Sequence, residues 1–536
     1  MRTKFWKAAI GATALVAFAG GAMADGHGTP KSGGTLDFVV GSKIPSYDGH
    51  AETTFGMIHP IAPFYSLLIR VNPGNPSEND FECDVCESFE GSEDGLTWTY
   101  KIKKGLKFHN GQDLDANDVF ATYEKIIFPP EGIRSSRKAF YAMVDSHSVV
   151  DSHTYEMKLK FPSGAYLPSM ASPFNFIYAD EDLAEHGLKW HQTNVNGSGP
   201  FKFVEHQPGA FVSGVKFDDY HHEGRPYLDG FKAIAAPKLA ARVQAIEGDR
   251  AGIEFRGFPP KQRDALVNAL GDKIVVQESD WNCVLLATPN HKRPPFDDPR
   301  VRKALTLAID RWGGSKYLSK IAIVKTVGGI VFPNHPLAAS QEELEALSGY
   351  GTDMEANRAE AKRLLEEAGV DLSKSYSFNN RGVDQPYKVV GTWLIDQWKK
   401  VGLNFDQNVN PTPVFYDILR KKFDFDVSID FNCQSVINPI ADVSKFIPSS
   451  GNNFTQNEDP ELEQMYQDLL RAGTEDEQRA IMRKLEKAVL DEKATQFITL
   501  WWYKINPHRD YVKGWKIAPS HYLGQQLDQI WLDKES

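Results

Sequence analysis

The sequence predicts a mixed α/β protein of more than one domain, and three observations carry that prediction. Its 536 residues exceed what one core organises and, at about 150 residues per domain, make roughly three. Segments of strict apolar/polar alternation recur between segments with a helical apolar stripe, the pattern of α/β architecture. The strongest helical stretches also carry their own start and stop residues. A hydrophobic content of 41% and a charged content of 24% are those of a globular chain.

Residues 1–24 stand apart from that pattern. Arg2, Lys4 and Lys7 precede an apolar stretch that ends in Ala22-Met23-Ala24, the signature of a cleavable secretory leader with cleavage expected before Asp25. No cysteine stands at that point to take a lipid, and no later stretch reaches the ~18 apolar residues of a membrane span. Losing the leader moves the net charge from −11 to about −14, a surface that repels phosphates and excludes nucleic acid as a partner. In an oxidising compartment Cys83 and Cys86 are open to a local disulfide or to remaining as two thiols, and two further zinc ligands are not nearby. Cys283 and Cys433 are read as reduced and buried, with a bridge between them as the alternative.

The elements follow in order. A short strand is expected over residues 36–40, and an apolar segment over 57–70. Leu96, Trp98, Tyr100 and Ile102 alternate with polar residues, and Asn110-Gly111 is a hairpin signal. Asp115 then caps a helix over 116–127, with Asp118 in its first turn and Pro129-Pro130 after it. Strands are expected over 153–160 and 201–204. Asp298, followed by Pro299, opens a helix striped by Val301, Ala304, Leu305, Ala308 and Ile309. A second helix runs over 353–368, where Thr352 and Glu355 are expected to form a capping box. A third occupies 385–401, and two more, 460–471 and 475–490, precede a strand over 497–505. Within that strand Trp501 and Trp502 must point to opposite faces, so one is free to face a cleft while the other is core.

The most informative stretch is 424–439. Val427, Ile429 and Phe431 alternate with Ser428 and Asp430 as a half-buried strand, and Asn432, Cys433, Gln434 and Ser435 continue it as a polar, uncharged tail. Neutral hydrogen-bonding groups in that number suit a bound solute better than bulk water. No nucleophile elbow, no His-Glu-x-x-His motif and no glycine-rich loop with a catalytic lysine is present, so an enzyme reading has no residue to rest on.

Taken in order, several motifs resemble those of the periplasmic solute-binding proteins of dipeptide/oligopeptide ABC transporters, the peptide/nickel type of family 5. They are Gly33-Gly34-Thr35-Leu36; Glu87-Ser88-Phe89 with Asp94-Gly95-Leu96-Thr97-Trp98-Thr99; Gly105-Leu106-Lys107-Phe108-His109-Asn110-Gly111; Gly197-Ser198-Gly199-Pro200-Phe201; Tyr227-Leu228-Asp229; and Val301-Arg302-Lys303-Ala304 through Ile309-Asp310-Arg311. The resemblance implies a type II, two-lobed α/β fold with an extra domain inserted in lobe I. Lobe I would comprise residues 25–62, 194–283 and 500–536, the insertion 63–193, and lobe II 284–499. It also implies a monomer that closes on a solute and delivers it to an inner-membrane permease with its cytoplasmic ATPase, without catalysis, cofactor or metal.

For the site, the resemblance places Arg381 where peptide-binding members hold the ligand carboxylate, a task suited to a planar guanidinium fork. It places Ser435 where those members carry an aspartate for the peptide ammonium, and Asn432 where a tryptophan is common. Burying an ammonium without its counter-charge costs several kcal/mol. The expected solute therefore presents an anionic group to Arg381, hydroxyl or amide groups to Asn432, Cys433, Gln434 and Ser435, and an apolar or ring face to Trp501 and Trp502, and is not an ordinary free-amine peptide. Such a peptide is the alternative within the class. A rival from another class is a secreted zinc hydrolase using His221, His222 and Glu223.

Overall fold

In the computed structural model the described residues are 28–76, 80–433, 435 and 438–534. The leader at 1–24 and Gln434 lie outside them. Two sheets frame the molecule. In the first, Thr35–Val40 runs parallel to Gly230–Ala235, which continues antiparallel through Phe211–Lys216 to Phe201–Gln207. The second has six strands in the order Val324–Thr326, Phe497–Arg509, Ile274–Pro289, Val427–Cys433, Ser375–Arg381, Asn404–Asn410. A further four-stranded antiparallel sheet, spanning 86–159, packs Tyr100, Tyr155 and Met157 against the helix Ala116–Ile127.

Local signals explain most of the helix starts. Asp115 accepts from the Asn117 N–H and Asp118 returns a bond to the Asp115 N–H, so the expected cap is a full capping box. Asp298 accepts from the Arg300 N–H at 2.8 Å and opens Pro299–Leu307. The helix Met354–Glu367 departs from expectation by one residue: its cap is Asp353, bonded to the Ala356 N–H, and not Thr352. Asp and Thr are both competent caps, and the one that adopts the boundary conformation takes the role. The helix expected over 385–401 is regular only from Val389 to Lys399, after a wider turn at Asp384–Lys388.

The strands Ile274–Pro289 and Phe497–Arg509 are the longest and lie side by side. Their pairing runs from Ile274 opposite Arg509 to Asp280 opposite Tyr503, then shifts register before Val284 meets Trp501. One end packs under the helix Pro260–Leu270, and the other lies inside the six-stranded sheet.

Both cysteine pairs are disulfides. Cys83–Cys86 closes a tight local loop, with Cα atoms 5.0 Å apart. Cys283 and Cys433, expected as reduced thiols, are instead joined, with Cα atoms 4.0 Å apart. They sit directly opposite one another on adjacent antiparallel strands, where facing side chains come within bonding reach.

Candidate functional site

Strand Ser375–Arg381 ends with the arginine that the sequence singled out, and the side chain is fully buried, at 0% exposure. Its Nη2 donates to Ser42 Oγ at 3.0 Å and to Thr54 Oγ1 at 2.7 Å, both from the amino-terminal sheet side. Its Nε donates to Thr412 Oγ1 at 3.1 Å and its Nη1 to the Tyr387 hydroxyl at 3.3 Å, both from the six-stranded side. Thr54 is itself the cap of the helix Phe55–Ile61, which fixes its hydroxyl. The rings of Phe55, Tyr387 and Tyr416 stand 5.3, 5.0 and 5.2 Å from the guanidinium carbon. Each of these hydrogen bonds goes to a neutral hydroxyl, so the charge of the cation is solvated but not neutralised.

Beyond Phe431 and Tyr522 lies a cavity of ≈ 40 Å³ lined by the polar tail, with Asn432, Cys433, Ser435 and Asp442 on one wall and Thr53, Arg137 and Phe174 on the other. Ser435 is buried, its hydroxyl has no partner among the described residues, and its carbonyl accepts from Ser520 Oγ at 3.2 Å. Asn432 donates to the Asp442 carbonyl at 3.1 Å. Cys433 brings no thiol to this wall, because its sulfur is bonded to Cys283.

Asp442 is a residue that sequence reasoning missed. It is buried and its Oδ2 has no partner among the described residues. Burial pushes its pKa well above the usual carboxylate value, with Arg137 and the Ser435 N–H acting in the opposite direction. Asp430, the other acid of the stretch, is committed elsewhere: it accepts from Lys445 Nζ at 2.5 Å, with both side chains buried.

The tryptophan pair divides. Trp501 donates from Nε1 to the Gly329 carbonyl at 3.0 Å beside Phe332, in a different part of the core from Arg381, and the structure does not bring the two together. Trp502 sits edge-on to Tyr387 at 5.8 Å and to Trp281 at 4.9 Å, on the Arg381 side. Against the guanidinium of Arg256 it lies at 4.9 Å.

The metal reading places its residues differently from the structure. Nε2 of His221 and of His222 converge on Asp84 Oδ1 at 2.7 and 3.1 Å, while Glu223 is exposed and outside the group. A bend in the backbone lets adjacent histidines meet one acceptor where a helix would not. Burial raises the Asp84 pKa, but the two histidine hydrogen bonds outweigh it and hold the carboxylate well below its usual range.

Contacts also join the two sheet bodies directly. Arg420 pairs with Glu52 at 2.8 Å and bonds Thr53 Oγ1 at 2.8 Å; Arg134, from the segment that carries the 86–159 sheet, bonds Asn452 at 2.8 Å, and the Tyr522 hydroxyl bonds the Thr53 carbonyl on its own side at 2.9 Å. The buried seam thus holds a cation facing neutral groups at one end and, at the other, an acid with one oxygen unpartnered among the described residues. Residues 80–454 match the family model described as bacterial extracellular solute-binding proteins, family 5 Middle. The chain belongs to that family.

Among its relatives, the oligopeptide-binding protein AppA of Bacillus subtilis is 25% identical over 95% of this chain and 93% of its own length. Di/tripeptide-binding protein 2 of Pseudomonas aeruginosa is also 25% identical, over 58% of each chain, so the match spans little more than half of that relative. The periplasmic binding protein AgaA solved with agropinic acid, from A. tumefaciens R10, superimposes with a TM-score of 0.81 at 19% identity, covering 94% of this chain and 99% of its own. Such a likeness shows the two-lobed α/β fold of these binding proteins. Family 5 proteins bind solutes and are not enzymes, which retires the hydrolase reading of His221, His222 and Glu223. Among the described residues no helix is long and apolar enough to cross a membrane.

Proposed function

We propose that this protein is the periplasmic solute-binding component of an ABC importer, exported by the leader at 1–24, and that it takes a small organic solute with an anionic group on Arg381. The observation that carries the reading is the fully buried Arg381, held between hydroxyls of both lobes and without an acid among its partners. A buried cation of that kind is costly to leave unanswered, and the charge of a solute carboxylate or other oxyanion answers it. Lobe I is assigned to residues 25–62, 194–283 and 500–536, the extra domain to 63–193 and lobe II to 284–499. The crossings at 283/284 and 499/500 fall beside the register shift in the two long strands, which suits a hinge. Closure around the solute is the state that the permease and its ATPase would read. Ser435 and Asn432 offer the solute neutral groups, which favours an opine-like or otherwise hydroxylated acid over an ordinary peptide.

Asp442 supports a second reading. Its unpartnered oxygen lines the same small cavity as Ser435, so it supplies the acid that Ser435 is not, and an opened cleft would offer it to the free ammonium of a di- or tripeptide. One experiment separates the two. The solute released by unfolding purified protein is identified by mass, and re-adding it at a hundred times its Kd raises stability by about 2.7 kcal/mol. The main reading expects an acid whose stabilisation is lost in Arg381→Ala and kept in Asp442→Asn. Loss in Asp442→Asn with a free-amine peptide selects the second reading, and a solute without an anionic group contradicts both.

A further inference from the structure

On the lobe I side of Tyr387 stands a second guanidinium that neither the sequence motifs nor the family resemblance singles out. Arg256 follows Ile253-Glu254-Phe255 and is 2% exposed. Its Nη1 donates across the lobes to the Gln385 carbonyl. Its Nε and Nη2 have no partner among the described residues. Those two nitrogens form one fork of the guanidinium, with parallel N–H bonds at the spacing of a carboxylate's two oxygens. Phe55, at 4.3 Å, and Trp502, at 4.9 Å, lie against the cation. A ring face attracts the charge but offers no acceptor to N–H bonds that lie in the guanidinium plane. Trp502 Nε1, buried in the same neighbourhood, is likewise without a partner.

The surrounding charge has the same sign. Lys504 is buried beside the rings of Trp281 and Trp515, at 5.9 and 5.3 Å. The acid acting on both Arg256 and Lys504 is Glu254, whose Oε2 already accepts the Gly257 N–H at 2.6 Å. His59 and His521 lie against this cluster as neutral rings, with burial as the main cause holding their pKa values down, to about 3 for His59. Arg256 and Arg381 approach the same two side chains: Phe55 is 4.3 and 5.3 Å from them, and Tyr387 is 5.6 and 5.0 Å. The fork of Arg381 is occupied by hydroxyls, whereas the fork of Arg256 is empty of acceptors among the described residues.

We propose that Arg256 is a second anion-binding residue of the cleft and that the solute carries two anionic groups, one received by Arg381 and one by the Nε–Nη2 edge of Arg256. This rests on the reading of the cleft as the solute site and names the class of solute, a dicarboxylate or an acid with a second oxyanion. Arg256 thereby sets specificity between an acid and its amide, since a carboxamide returns an N–H where the fork needs an acceptor.

The test uses full-length mature protein and three simple probe pairs: succinate, glutarate and adipate, each against its own monoamide. Affinity is read by tryptophan fluorescence, because Trp502 and Trp281 flank Arg256, and by thermal shift. In the wild type at least one dicarboxylate should bind about 10- to 100-fold more tightly than its monoamide. Arg256→Gln should remove that preference while leaving monoamide binding in place, and Arg381→Ala should weaken both members. No preference in the wild type, or a preference that survives in Arg256→Gln, overturns the proposal. If Arg256→Gln does not fold, Arg256→Lys retains the charge without the fork and should reduce the preference about tenfold; an unchanged preference there overturns it as well. Binding that ignores Arg381→Ala but follows Arg256→Gln contradicts the Arg381 reading and leaves Arg256 standing.

Discussion

Lys445 and Arg420 differ from Arg381 and Arg256 in what answers their charge. Lys445 meets Asp430 at 2.5 Å and Arg420 meets Glu52 at 2.8 Å, each within a buried pair. Arg381 meets four hydroxyls, and Arg256 a carbonyl and aromatic faces. All four are buried in or beside one seam, so location does not separate them. The difference teaches that the seam holds two kinds of cation: those paired with an acid of the protein and those hydrogen-bonded to neutral groups alone, which the proposed function assigns to the solute.

The largest expected effect tests that distinction through stability. Lys445→Met strands the buried Asp430 carboxylate and should cost about 3–5 kcal/mol in a denaturant titration. Arg381→Met removes a buried cation that has no acid to strand, so it should leave stability within about 1 kcal/mol of wild type or raise it, while solute binding falls. Equal losses in the two variants would erase the comparison.

Next is the Cys283–Cys433 disulfide, which anchors the end of the strand leading to Ser435 and encloses a sequence separation of 150 residues. Replacing both cysteines with alanine should cost about 2–5 kcal/mol, read as a lowered Tm. Cys83–Cys86, with a separation of 3, should matter less.

The pH dependence comes third. Burial holds the pKa of His59, beside the Arg256 cluster, and of His291 down to about 3. The unfolded chain takes those protons near pH 6.5 and the folded chain does not, so the unfolded state binds more protons between pH 6.5 and 3. Stability therefore rises with pH through that window and is lost as pH falls, by about 2 kcal/mol per histidine at pH 5. Thermal scans from pH 7.5 down to 4.5 check this, and His59→Gln should flatten its share of the slope. The smallest effect is Ser435→Ala: removing a hydroxyl with no partner among the described residues should shift stability by less than about 1 kcal/mol.

Much of this arrangement was legible in the sequence where a local rule decides it. The alternation of Val427, Ile429 and Phe431 and the caps at Asp115 and Asp298 depend on neighbours a few residues away, and they hold in the structure. That Trp501 and Trp502 separate follows from strand geometry, but which of them faces Arg381 depends on which body covers each face. The Cys283–Cys433 bond depends on two strands becoming neighbours, and their order in the sheet is not written in either segment. Asp442 and Arg256 were missed for a related reason. The family resemblance ties the acid to one position, that of Ser435, whereas the turn after Asn438 brings Asp442 to the same cavity. Ile253-Glu254-Phe255-Arg256-Gly257-Phe258 does place charges within an apolar run, a usable signal, but only the fold shows that the arginine's fork meets no acceptor among the described residues.

The account is tested most directly by titrating the co-purified solute into stripped wild-type protein and into Arg381→Ala in one calorimetric series at fixed ionic strength. Losing the buried, hydrogen-bonded charge partner of the solute should raise Kd by about 100-fold or more, with the circular dichroism and Tm of the variant still native. A Kd within about threefold of wild type in a natively folded Arg381→Ala protein would contradict the claim that Arg381 is the cation reserved for the solute.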